Sequence, residues 1–292
     1  MAEQTHRILM SFDVQKMNKL PLEDRFFDVN DLWYFWNVWM VRLLYPTRIT
    51  ANQVTGLSLV MGVLSAISFI WGGESSHLWA GFFLYLKILL DNVDGNLARV
   101  RGEESRLGRF FDSLTDFTVS LLVYFSAMFR LVMDTGEWGW VFLALAALLS
   151  SYLHCSYFVY YLVKYTDQCG TYTKNRADES VTRKDIEKGK RDDASRFILK
   201  MQVLHSMIYG WQDRAIASLD RHFRSRSAVS NGIWYEDKCF MTWASPLCAC
   251  TNNMMFVIFA LADRVDVFFG LVVVFGNAYW AVLIAWKNLR QA

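Results

Sequence analysis

The sequence predicts an all-α fold, a polytopic membrane bundle of six transmembrane helices with an N-terminal interfacial helix and a cytoplasmic helical insertion. Three observations predict it. Runs of about 20 apolar residues recur, each long enough to cross a hydrocarbon core of roughly 30 Å. Hydrophobic residues make up 54% of the 292 and only three are proline, so long helices run with few breaks. Short connections pair the runs as antiparallel hairpins, and backbone polar groups in lipid must be satisfied within such helices.

The elements follow in chain order. The first 25 residues have no long apolar core and no small-residue cleavage pattern, and they do not read as a signal peptide. Asp31 to Pro46, "DLWYFWNVWMVRLLYP", is too short to span; Trp33, Trp36 and Trp39 recur three apart, which reads as a helix along the cytoplasmic surface. The six spans are expected at Asn52 to Trp71, His77 to Arg99, Gly108 to Met133, Trp138 to Val163, Phe240 to Ala262 and Val265 to Trp286. The chain therefore divides into an N-terminal segment at 1–46, spans one to four at 47–165, an insertion at 166–238 and the last two spans at 239–292. Ser58, Gly62 and Ala66 in the first span have the spacing of a close helix contact.

The insertion opens with mixed charge and continues as an amphipathic helix. Phe197, Met201, Leu204, Ile208, Trp211 and Ala215 recur at steps of four and three, with Arg196, Lys200 and Arg214 on the other face. The simpler expectation is a helix docked on the bundle or on the membrane surface; the sharper one is a lid over a cytoplasmic site.

Charge sets orientation and excludes some functions. The connections after spans one, three and five hold a single arginine, whereas Arg42, Arg48, Arg101, Arg106, Arg109, Lys287 and Arg290 lie on the other side. By the positive-inside bias, both termini and the insertion are expected in the cytoplasm. A net charge of +2 without a basic, aromatic-interleaved stripe excludes nucleic acid as a partner. The five cysteines form no disulfide framework, and the C-x-C at Cys248 and Cys250 has no second pair to complete a zinc site.

The stretch "DNVDGNLARVRGEESRLGRFFDSLTD" carries the chemistry. Asp91 and Asp94 lie roughly 60° apart around the second span, and Asp112 and Asp116, four apart, share a side of the third. In an antiparallel hairpin Asp94 faces Asp112 and Asp91 faces Asp116 one turn deeper, so four carboxylates converge in the cytoplasmic leaflet. Ionisable residues inside a membrane segment point to function. Clustered like charges need a cation, and an oxygen-only ligand set suits Mg2+ or Mn2+ better than zinc. Lys87, one turn deeper than Asp91, neutralises part of the charge. Arg99 and Arg109 can grip a phosphate, while Gly95 and Gly108 leave space for a ligand. Metal, phosphate and a spare carboxylate together point to phosphoryl transfer.

At these residues the sequence resembles the CDP-alcohol phosphotransferases, whose signature is D-x2-D-G-x2-A-R-x8-G-x3-D-x3-D. Every fixed position is met, by Asp91, Asp94, Gly95, Ala98, Arg99, Gly108, Asp112 and Asp116. "ITANQVTGLSL" is similar to the family's I-T-P-N-x-x-T, matching at Asn52 and Thr55 with Ala51 in place of proline. The resemblance covers about Thr47 to Tyr165. It implies a divalent metal on Asp91, Asp94, Asp112 and Asp116. It further implies a CDP-linked donor against Asn52, Gly95, Ala98, Arg99, Gly108 and Arg109. Asp116 would be the general base for an alcohol attacking the β-phosphorus, with CMP leaving. The family also implies a homodimer, a phospholipid product, and one lipidic substrate among donor and acceptor.

The motif reads CDP and not the alcohol. A CDP-diacylglycerol donor with a polar acceptor is favoured by the compact chain; a small CDP-headgroup with diacylglycerol is the alternative. A cation transporter or scaffold is the rival from another class, but no charge follows Asp116 in the third span before Arg130. His154 and His205 sit in no matching motif, and Asn252, Asn253 and Asn277 read as interhelical hydrogen-bonders.

Overall fold

The computed structural model describes residues 12–169, 179–224 and 234–291, and among these there is no strand. A short helix α1 (Tyr34–Leu44) follows a 3-10 turn. After it come α2 (Ala51–Trp71), α3 (Ser76–Arg101), α4 (Arg106–Thr135) and α5 (Gly139–Gln168). The insertion contributes α6 (Arg183–Gly189) and α7 (Asp193–Arg224). The C-terminal part consists of α8 (Lys238–Ala244), α9 (Ala249–Leu261), α10 (Val265–Leu271) and α11 (Asn277–Gln291).

Among the described residues, five segments are long and apolar enough to cross a membrane: α2, α4, α5, Lys238–Leu261 and Val265–Arg290. The protein is thus a multi-pass membrane protein by its helices. The second expected span, α3, has 26 residues but is not among the five. Lys87, Asp91, Asp94, Arg99 and Arg101 crowd its second half. Two expected spans also differ in detail. The fifth breaks at the 3-10 turn Ser245–Leu247, where Pro246 has no N–H to offer the helix. The sixth contains a π turn at Val272–Gly276.

The described residues form two compact units. The first draws on residues 12–19, 29–149 and 250–273 and contains the acidic hairpin. Its centre is α2, which packs against α3 and α4. Ser58, Gly62, Ser65 and Ala66 are buried along it, and a methyl group on Gly62 would overlap Val119 of α4. Ser65 Oγ donates to the Ala80 carbonyl of α3 at 2.8 Å. Small residues let these helices approach closely, as expected of a membrane interface. On α1 the indoles of Trp36 and Trp39 are exposed while Asn37 and Val41 are buried. The Trp33 side chain lies outside the described residues.

The second unit draws on residues 20–28, 150–249 and 274–291. Its core is aromatic, built from Tyr157, Tyr160, Tyr161 and Tyr165 of α5 with Trp234, Tyr235 and Phe240. Asp220 of α7 is buried at its middle and accepts four hydrogen bonds. Tyr161 Oη and Trp234 Nε1 donate to Oδ1 at 2.7 and 2.8 Å; Tyr160 and Tyr235 donate to Oδ2 at 3.0 and 2.7 Å. The Lys287 ammonium sits over the rings of Tyr161, Trp234 and Phe240 and donates to the Trp234 carbonyl. His154 bonds Asn277 Oδ1 at 3.0 Å, and Asn277 donates to Ser150 at 2.9 Å. These two residues partner one another between helices.

The expected amphipathic helix of the insertion is present as α7. On it Phe197, Leu204, Trp211 and Ala215 are exposed, whereas Gln202, Gln212, Ile216 and Asp220 are buried. The protein-facing side of α7 carries these polar residues together with Ile216, Ala217, Leu219 and Phe223, which meet the aromatic core.

Candidate active site

Sequence chemistry fixes the two ends of the acidic hairpin. Helix α3 stops at Gly102, whose φ of +68° would strain any residue with a β-carbon. Helix α4 starts at Ser105, whose hydroxyl accepts from the Gly108 amide at 3.0 Å. The connection is therefore only four residues long, and the acidic halves of α3 and α4 begin side by side. Arg101 braces the approach from α1 to α2. Its guanidinium donates to the carbonyls of Leu44, Tyr45, Thr47 and Ile49 at 2.6 to 3.1 Å. Thr50 and Gln53 then close a reciprocal capping box, which starts α2 with Ala51 in place of a proline.

Three of the four aspartates meet. Asp91, Asp112 and Asp116 each offer a carboxylate oxygen, and those oxygens lie within 4.8 Å of one another. Lys87, 1% exposed, is hydrogen-bonded to Asp116 and lies 3.1 Å from Asp91 Oδ1. Asp94 does not join this cluster. It is buried and accepts from Thr55 Oγ1 of α2 at 2.5 Å. It remains within electrostatic range of Asp91, Asp112 and Asp116. The expected pairing of Asp91 with Asp116 is present within a triad that also takes in Asp112. Asp94 lies beside it, with its carboxylate bonded to the Thr55 hydroxyl of the neighbouring helix.

The triad fits a hard divalent cation. Three carboxylates gather around the one buried ammonium of Lys87, and every donor atom they offer is oxygen. Asp91 Oδ1 is buried and accepts no hydrogen bond, since the nearby ammonium is not aligned for one. A buried carboxylate oxygen in that state calls for a partner.

The expected donor-side residues surround the same hairpin. A β-carbon on Gly108 would come within 3.1 Å of Asn52 Oδ1, so the glycine is what lets α2 present Asn52 there. Gly95 lies under the guanidinium of Arg99, with Nη1 3.4 Å from where its β-carbon would be. Ala98 is partly exposed on the next turn. Arg109 rests over the Phe110 ring at 5.5 Å. Arg99 differs from expectation in one respect. Its Nε donates to the Met17 carbonyl at 2.7 Å and its Nη2 to Asn96 Oδ1 at 2.5 Å. Met17, on a 3-10 turn at Val14–Met17, is buried against Val41, Val54, Val93, Leu97 and Val100. Sequence reasoning missed Met17 and Arg101. Neither sits in a periodic pattern, and both act through long-range contacts to backbone carbonyls.

Beyond the carboxylates α4 enters an aromatic cluster. Tyr124, two turns along α4 from Asp116, is packed among Phe256, Phe268 and Phe269 at ring distances of 4.8 to 6.1 Å. Asn252 donates to the Tyr124 hydroxyl at 3.0 Å.

Residues 48–174 match the CDP-alcohol phosphatidyltransferase family, and that stretch contains α2, the acidic hairpin and every signature position. Over this stretch the chain is similar to that family. Two archaeal proteins resemble it. The "Bifunctional IPC transferase and DIPP synthase" of Thermococcus kodakarensis is 34% identical over 113 residues, covering 37% of this chain and 23% of that protein. The "Archaetidylinositol phosphate synthase" of Pyrococcus horikoshii is 32% identical over 116 residues, covering 39% of this chain and 58% of that protein. The chain thus spans under a quarter of one relative and just over half of the other. The CDP-alcohol phosphatidyltransferases and these relatives are phosphotransferases, and the triad of this domain is the feature of the structure that such chemistry would use.

Proposed function

We propose that the protein is a metal-dependent CDP-alcohol phosphotransferase of phospholipid biosynthesis, with CDP-diacylglycerol as donor and a polar alcohol as acceptor. The observation that carries this reading is the meeting of Asp91, Asp112 and Asp116 inside the matched domain, with a buried oxygen left unbonded. Those three carboxylates, with Asp94 beside them, would hold Mg2+ or Mn2+. A bound divalent ion supplies positive charge to the diphosphate of the donor.

The remaining roles fall to the chain itself. Asn52, Gly95, Ala98, Arg99, Gly108 and Arg109 form the donor side, with the two glycines leaving space and the arginines carrying charge toward phosphate. Asp116 accepts the proton of the acceptor hydroxyl as its oxygen bonds to the β-phosphorus. The bond from that phosphorus to the bridging oxygen breaks, and CMP leaves with the electron pair. Positioning and charge neutralisation provide most of the rate in such transfers. In the membrane, α3 is the second of six spans, its charges paired within the bundle, and the site opens to the cytoplasm. The protein acts as a homodimer.

The name of the Pyrococcus relative, a synthase of archaetidylinositol phosphate, supports a phospholipid product. The aromatic packing of Tyr124 with Phe256 and Phe269, further along α4 from the carboxylates, disfavours a transporter. The deciding experiment offers purified protein in liposomes labelled CDP-diacylglycerol, CDP-choline and CDP-ethanolamine separately, each with Mg2+ and a panel of alcohols. Release of CMP from CDP-diacylglycerol alone is expected. Release from a small CDP-headgroup with diacylglycerol would reverse the assignment of the lipidic substrate, and release from none would end the enzymatic reading.

A further inference from the structure

The helix α7 is amphipathic in the sense opposite to a water-facing helix. Between Phe197 and Trp211 its exposed side chains are apolar apart from Lys200, with Met207 74%, Phe197 52%, Leu204 45% and Trp211 44% exposed. Its buried residues include the polar Gln202, Gln212 and Asp220 together with the apolar Ile216. A helix on a soluble surface buries its apolar stripe and wets its polar one; a helix whose outer neighbour is lipid does the reverse.

The partners of the inward face identify the outer neighbour. Tyr209 packs on Tyr152 with ring centroids 6.3 Å apart. Ser156 donates to Gln212 at 2.7 Å, and Tyr160 and Tyr161 donate to Asp220. These four partners, which bear on the stretch of α7 from Tyr209 to Asp220, lie on α5, one of the described helices long and apolar enough to cross a membrane. Nearer Phe197 the inward Gln202 and Ser206 donate to the Glu179 carbonyl of the insertion. The α5 partners rise in the same order along both helices, so α7 runs alongside α5 in the same direction. An apolar face turned outward from a helix on a membrane-spanning neighbour continues that neighbour's lipid-facing surface. The basic residues agree. Arg196, Lys200, Arg214 and Arg221 are exposed along α7, and long basic side chains reach lipid headgroups while their stems stay in the apolar layer.

We infer that the outer face of α7 from Phe197 to Trp211 rests in the bilayer, its apolar side chains among acyl chains and its basic residues at headgroup phosphates. The insertion is then membrane-seated along this helix and is not a lid moving through water. This inference is independent of the enzymatic reading.

The test uses full-length protein carrying the photoreactive residue p-benzoylphenylalanine in place of Leu204, Met207 or Trp211, one at a time, with Glu187 as the exposed control. Each is reconstituted into vesicles of phosphatidylcholine and phosphatidylglycerol and irradiated. The expected result is a covalent lipid adduct, seen by mass spectrometry of intact protein, at least fivefold above the Glu187 level at two of the three positions. Adduct at the control level would overturn the proposal. So would a cross-linked protein dimer, which would assign the face to a second copy, or an internal cross-link to the acidic hairpin, which would restore the lid. Three separate positions keep the outcome readable if one variant fails to fold.

Discussion

Lys87 is hydrogen-bonded to Asp116 from a site almost wholly out of solvent, one turn along α3 from Asp91. A lone ammonium in that position serves as the resident counter-charge of the triad. Replacing it with methionine keeps the volume and removes the charge. Breaking a buried pair costs about 3–5 kcal/mol, and the partial exposure of Asp116 reduces this to roughly 2. The expected outcome for Lys87→Met is a lower melting temperature without divalent ions and partial recovery with saturating Mg2+. Scanning fluorimetry with and without Mg2+ checks it; an unchanged apo melting point would show that the ammonium is not what steadies the carboxylates.

Asp116 is the carboxylate of the triad on the more open side, with its side chain one-third exposed. That access is what a proton acceptor for an incoming alcohol needs. Removing a general base lowers the rate by roughly 10²–10⁴-fold. Asp116→Asn is therefore expected to lose CMP release by about that factor while fold and CDP binding persist. Turnover at the wild-type rate in this variant would take the base role away from Asp116.

The regular parts of this fold were legible in the sequence because periodicity and run length report on single helices. The hairpin of α3 and α4, the start of α2 at Ala51 and the far ends near Trp71 and Thr135 all fall close to expectation. What escaped depends on a third element. Asp94 leaves its expected partner because Thr55 approaches from α2, and spacing within a hairpin carries no information about α2. Arg99 is held by Met17, 82 residues away in sequence, through a backbone carbonyl that has no side-chain signature. The stripe on α7 was visible, but its direction was not, because an amphipathic pattern has two faces and the sequence does not say which one meets lipid.

Metal removal separates two readings of the triad. If its oxygens are ligands, EDTA abolishes transfer, and Mg2+ or Mn2+ restores it in preference to zinc, which favours nitrogen and sulfur. Asp91→Asn keeps the volume but removes charge from a residue with one buried, unbonded oxygen. Its expected effect is a rise of about tenfold or more in the Mg2+ concentration for half-maximal activity, on the scale of a lost charged contact. Activity untouched by EDTA, with wild-type Mg2+ dependence in Asp91→Asn, would leave the carboxylates as structural charge only.

The last prediction concerns how the insertion is held. Asp220 receives two donors on each oxygen, and one of them, the Trp234 indole, can only donate. Burial, with the hydrogen bond to Asp220, pushes the Tyr235 phenol up to about 12, so it too stays a donor across the neutral range. An asparagine must turn its amide N–H2 toward one of the two donor pairs. If it faces Tyr161 and Trp234, the indole meets a second donor; if it faces Tyr160 and Tyr235, one phenol must reverse. Leaving a buried donor unsatisfied costs about 1–3 kcal/mol, and charge-assisted bonds raise that figure. Asp220→Asn is therefore expected to speed proteolysis of the insertion several-fold, read by limited trypsin digestion in nanodiscs. Tyr160→Phe, which removes one donor and leaves the carboxylate three, is expected to cost less. Equal protease resistance in Asp220→Asn and the wild type would show that the aromatic packing alone holds α7 in place.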